Sequence, residues 1–275
     1  MNDGPQSPPG SPQSPPPPSY PSPGIVAVPP VVPGPAAVVP APATAGPPAM
    51  DPADRAVAAG RRRPETDYIF SFWSAIGWTI LTLGIYGFYV LYQLVRRMRD
   101  HNARRVELFD AALAFAWAEA GRRGAQGELG ASFQRAEAHM DVLRRMRDDF
   151  RDPVIWLLLF IGASLVTGLG FVVGIVAFVL LDKDLFRHDR SEVGVEYELA
   201  LIFGRLGQAV PAPDQSRVKG EDNYGGRIVA AIFSFGIYGL WWLNDQMREP
   251  NRNFEGNWAQ EDALLAAIAA IAALR

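Results

Sequence analysis

The chain has 275 residues, a formal net charge of −3 and 49% hydrophobic residues. A charge balance this close to neutral gives no support to nucleic-acid binding. Cysteine is absent, which excludes disulfides, thiolate metal ligands and cysteine nucleophiles. The three histidines, His101, His139 and His188, stand in no close metal-binding spacing. The sequence therefore predicts neither a metal ligand set nor a cofactor.

Residues 1–60 form a proline-rich arm, since 19 of the 24 prolines precede residue 53. Proline lacks an N–H and favours extended geometry in the residue before it. The arm is therefore predicted to be disordered, sampling polyproline II conformations and solvated coil. A spacer is the favoured interpretation, and a docking arm for a partner protein stays open. No signal peptide is expected at its start.

Three apolar runs without an ionised side chain follow the arm, at Tyr68–Leu94, Val154–Leu181 and Ile228–Leu243. As continuous helices the first two would each cover about 40 Å, more than the ~30 Å bilayer core, and the third about 24 Å. These runs predict an all-α, multi-pass membrane protein with about three apolar membrane segments, in a domain spanning residues 66–275. Buried core helices and segments that re-enter without crossing are the alternatives.

The polar stretches between the runs have helical periodicity and are predicted to form amphipathic interfacial helices. Five arginines follow the first run within ten positions. We expect them to contact anionic lipid headgroups, with an ordinary solvated helix flank as the alternative. These residues are Arg96, Arg97, Arg99, Arg104 and Arg105.

An internal repeat is the clearest pattern in the chain. Gly84-Ile85-Tyr86-Gly87 recurs 152 residues later as Gly236-Ile237-Tyr238-Gly239, in a register that holds without gaps. The two copies cover about residues 78–118 and 230–270. A weaker middle copy, at about 165–206, appears at an offset of 87 and aligns His101 with His188. The motif is predicted to mark the point where a membrane helix turns into an interfacial one.

The motif and its arginine-rich tail, Arg96 to Asn102, resemble the bacterial domain-of-unknown-function 4234 family. The resemblance extends over roughly residues 66–265 and leaves out the proline-rich arm. It implies a multi-pass protein of the bacterial cell membrane. It implies no reaction and no substrate, so no catalytic residue is transferred.

Enzymatic signatures are missing from the sequence, which has no GxSxG, P-loop or dinucleotide-binding motif. One acidic cluster follows the second apolar run and has oxygen and imidazole groups suited to a divalent cation. A self-neutralising helix flank is the favoured interpretation, because basic residues are interleaved with it. The cluster consists of Asp182, Asp184, His188, Asp189 and Glu192.

These observations together predict a non-catalytic membrane scaffold or adaptor. An oligomeric small-solute channel or carrier is the alternative, followed by a metal-dependent membrane enzyme. The expected partners are the lipid bilayer, anionic lipids and a protein bound by the arm. No nucleic acid is expected, and a homo-oligomer stays open.

Overall fold

The computed structural model describes residues 50–166, 169–218, 220 and 222–275. Within those ranges all regular secondary structure is helical. The elements are α1 (Pro52–Arg61), α2 (Arg63–Thr66), α3 (Phe72–Leu81), α4 (Ile85–Arg122), α5 (Gln126–Asp148), α6 (Pro153–Ser164), α7 (Leu169–Arg205), a short 3-10 turn (Gln215–Arg217), α8 (Tyr224–Phe233) and α9 (Ile237–Ala272).

One arrangement recurs along the described chain: a short apolar helix is followed by a long helix. The short members α3, α6 and α8 have 10, 12 and 10 residues, and the long members α4, α7 and α9 have 38, 37 and 36. Each pair packs as a hairpin, and the long helices also pack against one another. The fold is therefore built on three helical hairpins whose long arms share one interior.

The first hairpin turns at Leu83 and Gly84, which have φ angles of 51° and 93°. Glycine adopts this left-handed conformation without a Cβ clash, so Gly84 can end one helix direction and begin another. The hydroxyl of Thr82 accepts a hydrogen bond from the Tyr86 N–H at 2.9 Å, which satisfies a free donor at the start of α4.

The third hairpin turns in the same way at the second copy of the motif. Phe235 and Gly236 have φ angles of 51° and 87°. The Ser234 hydroxyl accepts from the Tyr238 N–H at 2.9 Å, as Thr82 does for Tyr86. The two Gly-Ile-Tyr-Gly motifs therefore have the same local backbone structure.

These turns overturn the prediction of a multi-pass membrane fold. The run Tyr68–Leu94 is divided between α3 and α4, and Ile228–Leu243 is divided between α8 and α9. Among the described residues, no helix combines the length and the apolar character that a bilayer crossing needs. The error arose because an unbroken series of uncharged residues was taken as one helix, although a left-handed turn also needs no charged residue.

The predicted disorder of the arm was wrong for its last ten residues. Asp51 caps α1, accepting a hydrogen bond from the Ala53 N–H at 2.8 Å, and Pro52 occupies the first helical position. Ala56 and Ala59 are completely buried in the core with α4 and α9. The rest of the proline-rich prediction concerns residues 1–49, which lie outside the described residues.

Two apolar clusters form the interior. The larger one joins α1, α5 and the C-terminal halves of the long helices around residues such as Phe109, Met140 and Phe203. The smaller one lies beneath the hairpins and includes Leu94, Leu181 and Phe254. Buried polar side chains lie between the two clusters, where α4, α7 and α9 meet.

Candidate functional site

The junction of the three long helices holds a set of buried ionisable side chains, which we call the charged centre. Each of its members is at most 2% exposed except Asp67, at 4%. Charges are removed from water at high cost unless they are paired, so the pairing decides what this set can do. The charged centre consists of Asp67, Arg97, His101, Arg104, Arg105, His188, Glu192, Glu196 and Glu261.

Arg104 joins the loop before α3 to α9. Its guanidinium donates to Asp67 Oδ2 at 2.8 Å and to both carboxylate oxygens of Glu261, also at 2.8 Å. Burial raises the pKa of the Asp67 carboxyl, but His101, Arg104 and the Trp258 N–H outweigh it and hold that pKa well below its usual range. Asp67 is therefore an ionised carboxylate in the interior.

Arg105 links α4 to both other long helices. It donates to Glu192, to Glu196 Oε1 at 2.6 Å and to Glu261 Oε2 at 3.3 Å. Burial alone would raise the pKa of Glu192, but Arg105, His188 and His101 lower it to about 2. Asn257 holds the other oxygen of Glu192 through an N–H···O bond of 2.9 Å.

Arg97 bonds two backbone carbonyls of α9 at the point where a proline interrupts the helical hydrogen bonds. Pro250 lies inside α9 and lacks an N–H, so the carbonyl of Gln246 loses its usual helical donor. Arg97 donates to that carbonyl at 2.5 Å and to the carbonyl of Met247 at 3.2 Å. Its guanidinium also lies over the Phe70 ring, 4.7 Å from the centroid.

His101 and His188 come together beside Glu192. Their ring centroids are 5.5 Å apart. His101 Nδ1 is 2.9 Å from Asp67 Oδ1, and burial lowers the pKa of His101 despite that carboxylate. Burial acts in the same direction on His188, but the carboxylates of Glu192 and Asp189 raise its pKa overall. His101, His188 and Glu192 are the residues of the charged centre that could hold a metal.

The two repeat offsets align the members of this junction. At offsets of 87 and 152, His101 corresponds to His188 and to Asn253, and Arg105 corresponds to Glu192 and to Asn257. The Asn257 amide bonds both Glu192 and Asn253, the latter at 2.8 Å. Equivalent positions of the three long helices thus face one another in the interior.

The predicted headgroup arginines divide into two groups. Arg97, Arg104 and Arg105 are each 1% exposed and bond to protein groups, so the expectation that they contact lipid was wrong. The side chains of Arg96 and Arg99 are 43% and 39% exposed. Helical periodicity identifies the apolar face of α4 but does not show which arginines are buried in ion pairs and which are exposed.

The predicted acidic cluster is not one site. Asp182 accepts hydrogen bonds from the Trp242 indole at 2.8 Å and the Gln246 amide at 2.7 Å. Asp184 is bonded by Arg151 near the surface, while His188 and Glu192 face His101. Asp189 is buried beside His188.

Sequence reasoning missed the roles of His101, Asn257 and Glu261. Asn257 and Glu261 lie within α9, in the helix half that follows Pro250. The signal that would have found His101 was present: the offset of 87 aligns it with His188. Corresponding positions of packed repeats can face each other across a shared interior, which sequence separation conceals.

A second region, which we call the apolar end, lies where the hairpins turn. It comprises residues 72–95, residues 154–166 with 169–181, and residues 228–244. These ranges contain no aspartate, glutamate, lysine, arginine or histidine. A cleft of about 370 Å³ is lined by residues of all three hairpins, among them Gly84, Ser164 and Leu240. The hairpin turns are therefore gathered at the same end of the molecule.

Large apolar side chains at this end are exposed to an unusual degree. Leu83, Leu165 and Phe235 lie at the three turns and are 95%, 85% and 99% exposed. Trp73 and Phe233 are 80% and 78% exposed on the neighbouring short helices. Contiguous apolar surface of this kind marks an interaction site more often than single exposed residues do.

The model of the family described as "Domain of unknown function (DUF4234)" matches residues 70–181. The match covers the first hairpin, all of α5 and α6, and the apolar start of α7, and it ends before the second Gly-Ile-Tyr-Gly motif. No curated protein and no solved structure matches the chain. Residues 70–181 of this chain therefore match the DUF4234 family, which confirms the predicted family over a shorter stretch than the predicted residues 66–265.

Proposed function

We propose that this protein is a non-catalytic scaffold that attaches to a lipid bilayer from one side. The three hairpin turns enter the near leaflet, and the charged centre remains outside it. No helix crosses the bilayer in this proposal. The observation that carries it is the exposure of Leu83, Leu165 and Phe235 at three turns that lie at the same end.

The length of the apolar end supports insertion into a single leaflet. The first charged residues of α4, α7 and α9 are Arg96, Asp182 and Asp245. The uncharged starts of the three helices therefore rise about 12 to 20 Å before a charge appears. Half of the ~30 Å hydrocarbon core is about 15 Å, so each hairpin has the depth of one leaflet.

Aromatic residues are placed where a headgroup boundary would need them. Trp73, at the start of α3, and Tyr68 before it lie ten or more residues from the turn at Leu83, about 15 Å or more along the chain, and are 80% and 40% exposed. Tryptophan and tyrosine favour the interface because the ring is apolar and one atom is polar. Arg96 and Arg99 follow on the exposed surface of α4, where they would meet anionic headgroups.

The backbone at two of the turns also supports an apolar partner. Leu83 and Phe235 both have φ of 51°, a region that costs a residue with a Cβ about 1–2 kcal/mol. Glycine or asparagine would be the better residue for a turn in water. A large apolar side chain at these positions gains its advantage from leaving water for a lipid chain.

The absence of cysteine permits a direct test by single-cysteine labelling. Full-length variants with one cysteine at position 83, 165 or 235 are labelled with an environment-sensitive dye and mixed with phosphatidylcholine vesicles. We expect a blue shift at all three positions and quenching by acyl-chain quenchers. Leu201→Cys is the matched control, because Leu201 is 41% exposed on α7 far from the turns.

A second measurement separates insertion from self-association. The triple variant Leu83→Asn, Leu165→Asn, Phe235→Asn should lose flotation with vesicles, whereas Leu201→Gln should float as the parent does. Flotation of the triple variant at the parental level would refute the proposal. A different outcome would be that the protein dimerises through the turns as its concentration rises, while vesicles leave the dye emission unchanged. The apolar end would then bind a second copy of the chain and not a bilayer.

A further inference from the structure

We propose that this chain binds one divalent transition-metal ion of the Zn²⁺ class between His101, His188 and Glu192. The inference is independent of membrane attachment, because these three residues lie in the charged centre. It joins His188 and Glu192, two members of the acidic cluster named from the sequence, to His101 on another helix. No catalytic role is attached to the site.

The donor atoms are close enough for one ion. His188 Nδ1 is 3.6 Å from Glu192 Oε2, and His101 Nε2 is 4.0 Å from Glu192 Oε1. One donor atom from each residue lies within 4.8 Å of the others. Tetrahedral zinc with bonds of ~2.1 Å brings its donors to about 3.4 Å from one another. Rotation of the side chains by about an ångström would therefore close the site.

Three of the four imidazole nitrogens at this site make no hydrogen bond in the described part of the chain, although His188 Nδ1 has the carboxylate of Asp189 at 3.9 Å. His101 Nε2 and both nitrogens of His188 are buried there without a hydrogen-bond partner. The rings are 0% and 1% exposed, so water does not satisfy them at the surface. A buried polar atom without a partner costs about 1–3 kcal/mol, and a metal ion is a partner that both rings can share.

The surrounding groups orient the ligands as metal sites require. Asp67 accepts from His101 Nδ1, which leaves Nε2, 4.0 Å from Glu192 Oε1, as the nitrogen with a free lone pair. A carboxylate behind a ligating histidine fixes its tautomer and raises its basicity. Asn257 and Arg105 hold Glu192 as an ionised carboxylate, which has further lone pairs for a cation.

The ligand types also favour a cation. Four carboxylates, Asp67, Glu192, Glu196 and Glu261, face Arg104 and Arg105, and Arg63 reaches Glu261 from the rim at 3.1 Å. With Arg97 the four carboxylates are balanced by four arginines, so the charged centre has no excess of positive charge that would repel a cation. Two imidazoles and one carboxylate are a ligand set found for zinc, and imidazole also binds Cu²⁺, Ni²⁺ and Co²⁺ well.

Titration of the chelator-treated, full-length protein with Zn²⁺ tests the site. We expect one equivalent to bind and to raise the melting temperature, since ligands of the native state stabilise it. Co²⁺ should give the d–d absorption of a nitrogen and oxygen site, without a thiolate band. His101→Ala and His188→Ala should weaken binding by more than about 100-fold, and Asp67→Asn by about 10–100-fold.

The third histidine supplies the control. His139 is on α5, and His139→Ala should bind Zn²⁺ as the parent does. X-ray absorption spectroscopy at the zinc edge of the zinc-loaded parent protein needs no variant. Its spectrum should show two imidazoles bound directly to the metal. Failure to bind a stoichiometric ion would overturn the proposal, as would a shell of oxygen atoms only, or unchanged affinity in folded His101→Ala and His188→Ala variants.

Discussion

The apolar end and the charged centre are built from the same three long helices and have opposite character. In the first turns of α4, α7 and α9 large apolar side chains point outward, with Ile85 and Ile237 70% and 74% exposed. A few turns further, the same helices bury arginine and glutamate. Soluble domains usually have the reverse arrangement, apolar inside and charged outside. Within one helix, therefore, the exposed side chains are apolar near the turn, whereas charged side chains are buried further along.

The two regions also differ in what holds them together. The charged centre depends on ion pairing, because Arg104 and Arg105 compensate carboxylates that would otherwise be buried alone. The apolar end depends on turn geometry and on glycines that let the hairpins bend. Substitutions should therefore affect folding stability at the charged centre and surface binding at the apolar end.

The largest effect is expected from Arg105→Met. This change leaves Glu192, Glu196 and Glu261 without their shared cation, at a cost of about 3–5 kcal/mol in the free energy of unfolding. Urea denaturation followed by circular dichroism measures it. Arg96→Met is the control, since the Arg96 side chain is 43% exposed and paired with Asp100, and it should cost at most about 1 kcal/mol. Equal costs for the two variants would contradict the distinction between buried and exposed arginines.

Arg97→Lys should have the next largest effect, about 1.5–3 kcal/mol, because one ammonium cannot reproduce the planar contacts to the carbonyls of α9. Thermal unfolding of the variant beside Arg99→Lys measures the difference. Pro250→Ala restores an N–H that can bond the Gln246 carbonyl. The double variant Arg97→Lys, Pro250→Ala should therefore lose less stability than the sum of the single changes, and strict additivity would show that Arg97 does not compensate Pro250.

A packing effect of intermediate size is expected between α5 and α7. A Cβ at position 194 would lie 2.6 Å from the ring of His139. Gly194→Ala should therefore cost about 1–3 kcal/mol through overpacking. His139→Ala in the same chain removes the obstructing ring and should recover part of that cost in urea titrations. If His139→Ala restores no stability, the cost of Gly194→Ala does not come from contact with that ring.

The smallest effect on stability is expected at the turns. Leu83→Asn and Phe235→Asn remove side chains that are almost fully exposed and place a residue tolerant of positive φ there. Each should leave the free energy of unfolding unchanged or raise it by a few tenths of a kcal/mol. The same variants should bind vesicles more weakly. Destabilisation by more than about 1 kcal/mol would show that these side chains serve the fold and not a surface.

The sequence was most informative where local chemistry decides structure. Gly84 and Gly236, the first glycines of the two motifs, are local signals of this kind, and both have the left-handed conformation in the structure. Helix α1 was missed because it is stabilised by packing against α4 and α9. The composition of the proline-rich arm that precedes it does not indicate such contacts. The turn at Leu83 was missed because leucine rarely occupies positive φ.

The candidate metal site was out of reach for a different reason. His101, His188 and the Glu192 carboxylate are brought together by packing between α4 and α7, not by spacing on one helix. The repeat offset that aligns the two histidines was visible. Its meaning depended on which faces of the two helices meet, which an offset alone does not specify.

The sequence by itself determined that the part of the chain described by the structure is helical, where its apolar runs lie and that the two Gly-Ile-Tyr-Gly motifs are similar, because periodicity, uncharged composition and glycine act locally. The tertiary structure alone decided that the runs fold back as hairpins and that Arg97, Arg104 and Arg105 lie inside. Whether an arginine is a surface charge or a buried partner depends on the carboxylates and carbonyls that other helices bring to it. Those partners are 29 to 157 residues away in the chain, beyond the range of any local pattern.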